Sequence, residues 1–123
     1  MNSADSFSIP ESRLAEFARD LLTAAGLADD EAAVVADALV ESNLCGHDSH
    51  GVIQIPGYVR QMRAGELAAG APLEIVSETE AAIVADGCFG YGPVQCHRII
   101  EKLVLKVRGQ GIACATVRNC GHV

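Results

Sequence analysis

The sequence predicts an α/β class chain, α+β over this stretch, in which a layer of three helices (residues 1–70) precedes a β-β-α-β segment (residues 71–123) that begins a larger sheet domain. Three observations carry this. Apolar residues recur at intervals of three and four as far as Met62, the spacing of one helix face. After Gly65 they gather instead into short runs bounded by glycine, aspartate and proline, as strands do. A glycine-rich segment ending in Pro93 then separates the second run from a renewed helical pattern.

Each element follows from its residues. Ser8 and Glu11 have capping-box spacing ahead of Leu14, Phe17, Ala18, Leu21 and Leu22, predicting a first helix that stops near Gly26. Asp29 or Asp30 is placed to cap a second helix with the stripe Ala32, Val35, Ala36, Leu39 and Val40, running out at Leu44 to Gly46. Val52, Ile55, Tyr58, Val59 and Met62 predict a third, capped by Asp48 or Ser49. Pro56 lacks a backbone donor and forces a kink or a late start there. Leu73–Val76 and Ala81–Ala85 read as strands, and Gly87–Gly92 as a tight turn. Pro93 suits the first turn of a helix bearing Val94, Ile99, Ile100, Leu103, Val104 and Val107, and Gly111–Val117 is the last strand.

Composition limits the function. A chain of 123 residues, 50% hydrophobic, is long enough for one core and buries roughly two-thirds of its unfolded surface. The net charge of −7, with no local Lys/Arg cluster, disfavours nucleic acid and anionic membranes as partners. No apolar run spans a bilayer and Met1–Asp5 lacks the features of a signal peptide, so a cytoplasmic protein is expected. Five cysteines, an odd number without a Cys-x-x-Cys pair, read as free thiols. Cys96 and Cys114 are expected to be inert packing residues, and Cys120 stands out beside the terminal histidine.

The chemistry concentrates in His47-Asp48-Ser49-His50-Gly51 and in Asn119-Cys120-Gly121-His122-Val123. Cys45, His47 and His50 with Asp48 have ligand character, but a tetrahedral site needs a second ligand pair and no metal is expected. Ser49 with its sequence neighbour His50 does not make a catalytic triad, which needs a separately oriented base and acid. The G-x-x-G-x-G order of Gly87–Gly92 reverses the dinucleotide fingerprint, so a loop-shaping turn is favoured over phosphate binding. His97 has no partner at catalytic spacing and reads as an ordinary helix residue.

Asn43-Leu44-Cys45-Gly46-His47-Asp48-Ser49-His50-Gly51-Val52, followed by Ile55-Pro56-Gly57-Tyr58-Val59, resembles the signature of the malate/L-lactate dehydrogenase family of NAD(P)-dependent 2-hydroxyacid oxidoreductases, distinct from the Rossmann lactate and malate dehydrogenases. The likeness extends over nearly the whole chain, through Ala85-Asp86-Gly87 and Val117-Arg118-Asn119-Cys120-Gly121-His122. The DSHG block is its specific part, and Gly46-His47 is most similar to the hydroxycarboxylate dehydrogenase B branch.

The resemblance implies hydride transfer between NAD or NADP and a small 2-hydroxy or 2-oxo acid. His122 would be the acid/base, with Ser49 and His50 contacting substrate, His50 also meeting the nicotinamide end as a catalytic and cofactor-binding residue, and Tyr58 facing substrate. Histidine suits proton transfer because imidazole titrates near neutrality. An arginine that clamps the substrate carboxylate in many members falls at Gln54, which lacks the charged bidentate fork. Members are much longer than this chain, so the expectation is a truncated polypeptide whose cofactor cradle lies beyond Val123 and which neither binds NAD(P)H tightly nor turns over alone. A homodimer is also implied. The competing reading is a non-catalytic remnant or helical interaction module.

Overall fold

In the computed structural model, which describes residues 8–122, the chain is α+β in the predicted order. Helices α1 (Glu11–Ala25), α2 (Asp29–Leu44) and α3 (Ile55–Arg63) are followed by β1 (Glu74–Glu78), β2 (Ala82–Gly90), α4 (Gly92–Gln110) and β3 (Cys114–Cys120). Two single 3-10 turns, Asp48–His50 and Val52–Gln54, link α2 to α3.

The helix starts differ from the expected caps. Pro10, not Ser8, is the N-cap of α1, and its carbonyl accepts from the Arg13 and Leu14 amides. Proline disfavours helical backbone at the residue before it, so Ile9 cannot enter the helix and Glu11 falls at the first helical position, out of capping-box register. Helix α2 begins after Ala28 without a side-chain cap, because the Asp29 carboxylate turns to the Thr23 hydroxyl 3.2 Å away. Asp29, Asp30 and Glu31 still place negative charge at the positive end of the helix dipole. Gly26, at φ 117°, closes α1 where expected, with the Leu27 amide reaching back to the Leu22 carbonyl. Pro56 produces the late start: α3 opens at Ile55 with the proline in its first turn.

The three helices bury one core. Leu22 and Val35 are fully enclosed, Leu39, Ile55 and Tyr58 nearly so, and Tyr91 and Val94 of the α4 start pack into the same cluster. Each such side chain contributes about 1.5–3 kcal/mol by leaving water. The Glu31 carboxylate, 5% exposed, accepts from Arg98 of α4 at 2.9 Å and from the Gly70 amide at 2.8 Å, tying α2 to the second half of the chain.

The sheet is mixed, in the order β1-β2-β3, with β1 antiparallel and β3 parallel to β2. Ile83 and Ala85 of β2 pack on Ile99 of α4, the crossover helix between the two parallel strands. Two boundaries depart from expectation. Strand β2 continues through the glycines to Gly90 as a bulged extension, with Cys88 and Phe89 at positive φ, rather than turning at Gly87. Gly111, in left-handed backbone, ends α4 by donating to the Val107 carbonyl, so β3 starts only at Cys114. Cys114 is consequently exposed rather than packed.

Candidate active site

The site starts at the end of α2. Helix geometry presents Asn43 toward the histidine segment, where its amide nitrogen donates to the Asp48 carboxylate at 2.7 Å and its oxygen accepts the Val52 amide at 2.9 Å. One side chain thus clamps both ends of Asp48–Val52. Gly51 makes this possible. A Cβ there would collide with the Asn43 carboxamide, although the backbone at Gly51, φ −88°, is open to any residue. Asp48 and Ser49 therefore form the 3-10 turn rather than cap α3: the Asp48 carboxylate is taken by Asn43, and the Ser49 hydroxyl shares a hydrogen bond of 3.0 Å with Nδ1 of His50. That bond leaves Nε2 of His50 for other contacts. Gln54 folds back, its amide nitrogen donating to the Ser49 carbonyl at 2.6 Å.

The second part arrives from β3. Asp86 on β2 receives the Cys88 amide on one carboxylate oxygen, and the Arg118 Nε and the Asn119 side-chain nitrogen on the other, all at 2.9 Å. These donors, the Cys88 amide first, hold the Asp86 carboxyl below its usual range against the opposing effect of desolvation. Asn119 sits at φ 50°, kinking β3 at the bulge just before its last residue, Cys120. The Gly121 amide then bonds the Gly90 carbonyl at 2.8 Å, and the His122 carbonyl packs against Gly92, where a Cβ would not fit.

This path brings the imidazole of His122 against that of His50, with centroids 4.8 Å apart and planes inclined by 47°. His47 meets His50 edge-on at 6.4 Å. Ser49, His50 and His122 are all exposed, forming an open wall with one hydroxyl and adjacent imidazoles. Such a set can donate to and accept from a small oxygenated ligand and pass a proton.

Tyr58 is placed elsewhere. Its ring is 3% exposed, in the helical core, edge-on to Tyr91 at 5.5 Å, and burial pushes its phenol above the usual value. The glycines after Asp86 serve the protein's own packing: Gly87 admits Cys120, Gly90 admits Gln95, and Gly92 admits the His122 carbonyl. Among the described residues no three His, Cys, Asp or Glu side chains gather as a metal set, and Cys45 faces the Glu41 carboxylate at 3.7 Å. His97 lies 3.9 Å from Glu101 on the exposed face of α4. A hollow of about 500 Å³ between α1 and α2, lined by Glu16, Arg19, Asp20, Asp29 and Asp37, has no histidine in its lining. No helix among the described residues is long and apolar enough to cross a membrane.

Pattern reading gave Asn43 and Asp86 no role. The available signal was an asparagine one turn before a glycine-containing polar run, and an aspartate facing Arg118-Asn119 across the predicted strands.

Solved structures of 2-hydroxyacid dehydrogenases share this arrangement of helices and sheet. Malate dehydrogenase from Pyrococcus horikoshii superposes with a TM-score of 0.90 at 30% identity, covering 94% of this chain and 33% of that one. Sulfolactate dehydrogenase from Methanocaldococcus jannaschii superposes at 0.87 with 27% identity, covering 93% and 33%. Hydroxycarboxylate dehydrogenase B from Escherichia coli is 38% identical over 98 residues, 80% of this chain and 27% of that protein. The profile of the malate/L-lactate dehydrogenase family matches residues 9–123, and the chain belongs to that family. It spans about a third of the length of these relatives.

Proposed function

We propose that this chain forms the N-terminal part of a nicotinamide-dependent dehydrogenase that interconverts small 2-hydroxy and 2-oxo carboxylic acids. The observation that supports this most is the approach of His122 to the Ser49-His50 pair within a fold shared with malate and sulfolactate dehydrogenases. In this reading His122 takes the hydroxyl proton during oxidation and returns it to the carbonyl oxygen during reduction. Ser49 and His50 hold the substrate, and His50 also meets the nicotinamide ring. NAD or NADP, when bound, supplies the hydride exchange at the α-carbon. The exposed hydroxyl and imidazoles fit that ring end of a cofactor, whereas the glycines after Asp86 are filled by protein atoms and leave no phosphate cradle there.

Gln54, neutral and engaged with the Ser49 carbonyl, does not replace a guanidinium clamp, so monocarboxylates are favoured over dicarboxylates such as malate. We place the protein in the cytoplasm as a homodimer, with Val84 of β2 and Val76 of β1 exposed on the sheet for association. The net charge of −7 argues against nucleic acid as a partner. The test is His122→Ala in a chain extended to the relatives' length: 2-oxo acid reduction is lost while cofactor binding persists. Retained turnover overturns the assignment.

A further inference from the structure

We propose that Asp86 is a positioning residue that sets His122 against His50 by fixing the bulged end of β3. It touches neither imidazole. One carboxylate oxygen takes both the Arg118 and Asn119 side chains, and the other is anchored on the Cys88 amide of its own strand. Asn119 occupies left-handed backbone, which asparagine tolerates at a cost that a side-chain bond offsets. Three residues later comes His122. Between them the chain is also held by the pairing of Cys120 with Gly90, the Gly121 amide on the Gly90 carbonyl, Leu67 against Gly121, and the packing of Cys120 and the His122 carbonyl on glycines. None of these holds residue 119 itself, because the pairing of β2 with β3 skips from Asp86/Arg118 to Gly90/Cys120 across the bulge. The Asp86 carboxylate spans that gap. With Arg118 66% exposed, the charge pair contributes little by itself. The geometric constraint on residues 118 and 119 is the consequential part. The inference rests on the dehydrogenase reading only for what the histidine pair does.

The test reads the ring contact directly and needs no turnover. In NMR spectra of the chain, wild type shows cross-relaxation between the His50 and His122 rings. Asp86→Asn keeps one acceptor oxygen and turns the other into a donor, so it cannot serve the Cys88 amide and the Arg118–Asn119 donors together, and this cross-peak is lost while the His47–His50 contact and the helical circular dichroism are kept. The pair Asp86→Asn with Asn119→Asp exchanges donor and acceptor and restores the contact, which also covers the case in which the single variant does not fold. An unchanged His50–His122 cross-peak in folded Asp86→Asn, or a folded double variant lacking it, overturns the proposal. Its absence in wild type overturns both the positioning role and the pairing. In an extended, active chain the misplacement lowers kcat by about 10²-fold with little change in cofactor affinity. A chain that keeps the ring contact yet loses no activity on His122→Ala refutes the dehydrogenase reading alone.

Discussion

His50 and His122, on segments far apart in sequence, lie 4.8 Å apart by ring centroid, one delivered by the turn after α2 and the other by the end of β3. Neither segment has the contact alone. Whatever disturbs the Asn43 clamp, the α2–α4 tie or the Asp86 junction is therefore expected to reach the pair.

Gly51→Ala tests the clamp. The added methyl meets the Asn43 carboxamide, so the bonds to Asp48 and Val52 cannot both persist. A loss of about 1–3 kcal/mol in urea unfolding is expected. Adding Asn43→Ala to Gly51→Ala should cost less than the sum of the two single changes, since the first removes the obstacle the second creates. Strict additivity would show that the collision is relieved elsewhere.

Glu31→Gln tests the tie between the helical layer and the sheet. Removing one partner of a buried pair costs about 3–5 kcal/mol, reduced here to about 2 kcal/mol because Arg98 is a third exposed. The measurement is the shift in the urea midpoint at constant slope. A change below about 0.5 kcal/mol would assign the pair no net contribution.

Acid titration tests Asp86. Its carboxyl is held below the unfolded value, so its bonds contribute in full above that value and are lost as pH falls through the folded one. Thermal melts of wild type and Asp86→Asn are expected to differ at neutral pH and to converge as pH falls below the ordinary carboxylate range, where the unfolded and then the folded carboxyl protonate. A difference that grows on acidification would contradict the direction of the shift.

Thiol labelling at neutral pH distinguishes the cysteines. Cys45 and Cys114 are exposed and should react first. Burial raises the Cys96 thiol, and burial with the Glu74 and Asp86 carboxylates raises Cys88, so both should react slowly. Mass spectrometry of partially alkylated protein gives the order, and early modification of Cys96 would show that α4 opens.

Periodicity located the helices because part of each stripe is buried, although Phe17, Leu21, Ile100, Val104 and Val107 of the expected stripes are exposed, and Pro56 announced the late start of α3 through its missing donor. The caps were misread because local propensity cannot see competitors. Pro10 displaces Ser8, Thr23 draws Asp29 away, and Asn43 occupies Asp48. The glycines of 87–92 looked like a turn because their purpose, admitting Gln95, Cys120 and the tail, depends on residues that follow them in sequence. For the same reason the resemblance marked Ser49, His50 and His122, while the Asn43 and Asp86 junctions emerged only in three dimensions.

The crossover from β2 through α4 to β3 also sets an order of folding. The loop around Ser49 and His50 closes over nine residues of chain, from Asn43 to Val52, whereas the Asp86–Arg118 junction closes over thirty-two. Short closures form early and long ones late, since the longer loop gives up more chain entropy before any contact rewards it. The histidine pair is then a reporter of completed folding, and transient undocking of β3 would disarm the site while the helical layer stays intact. Hydrogen exchange that is faster in Cys114–Cys120 than in α1 and α2 would register that opening.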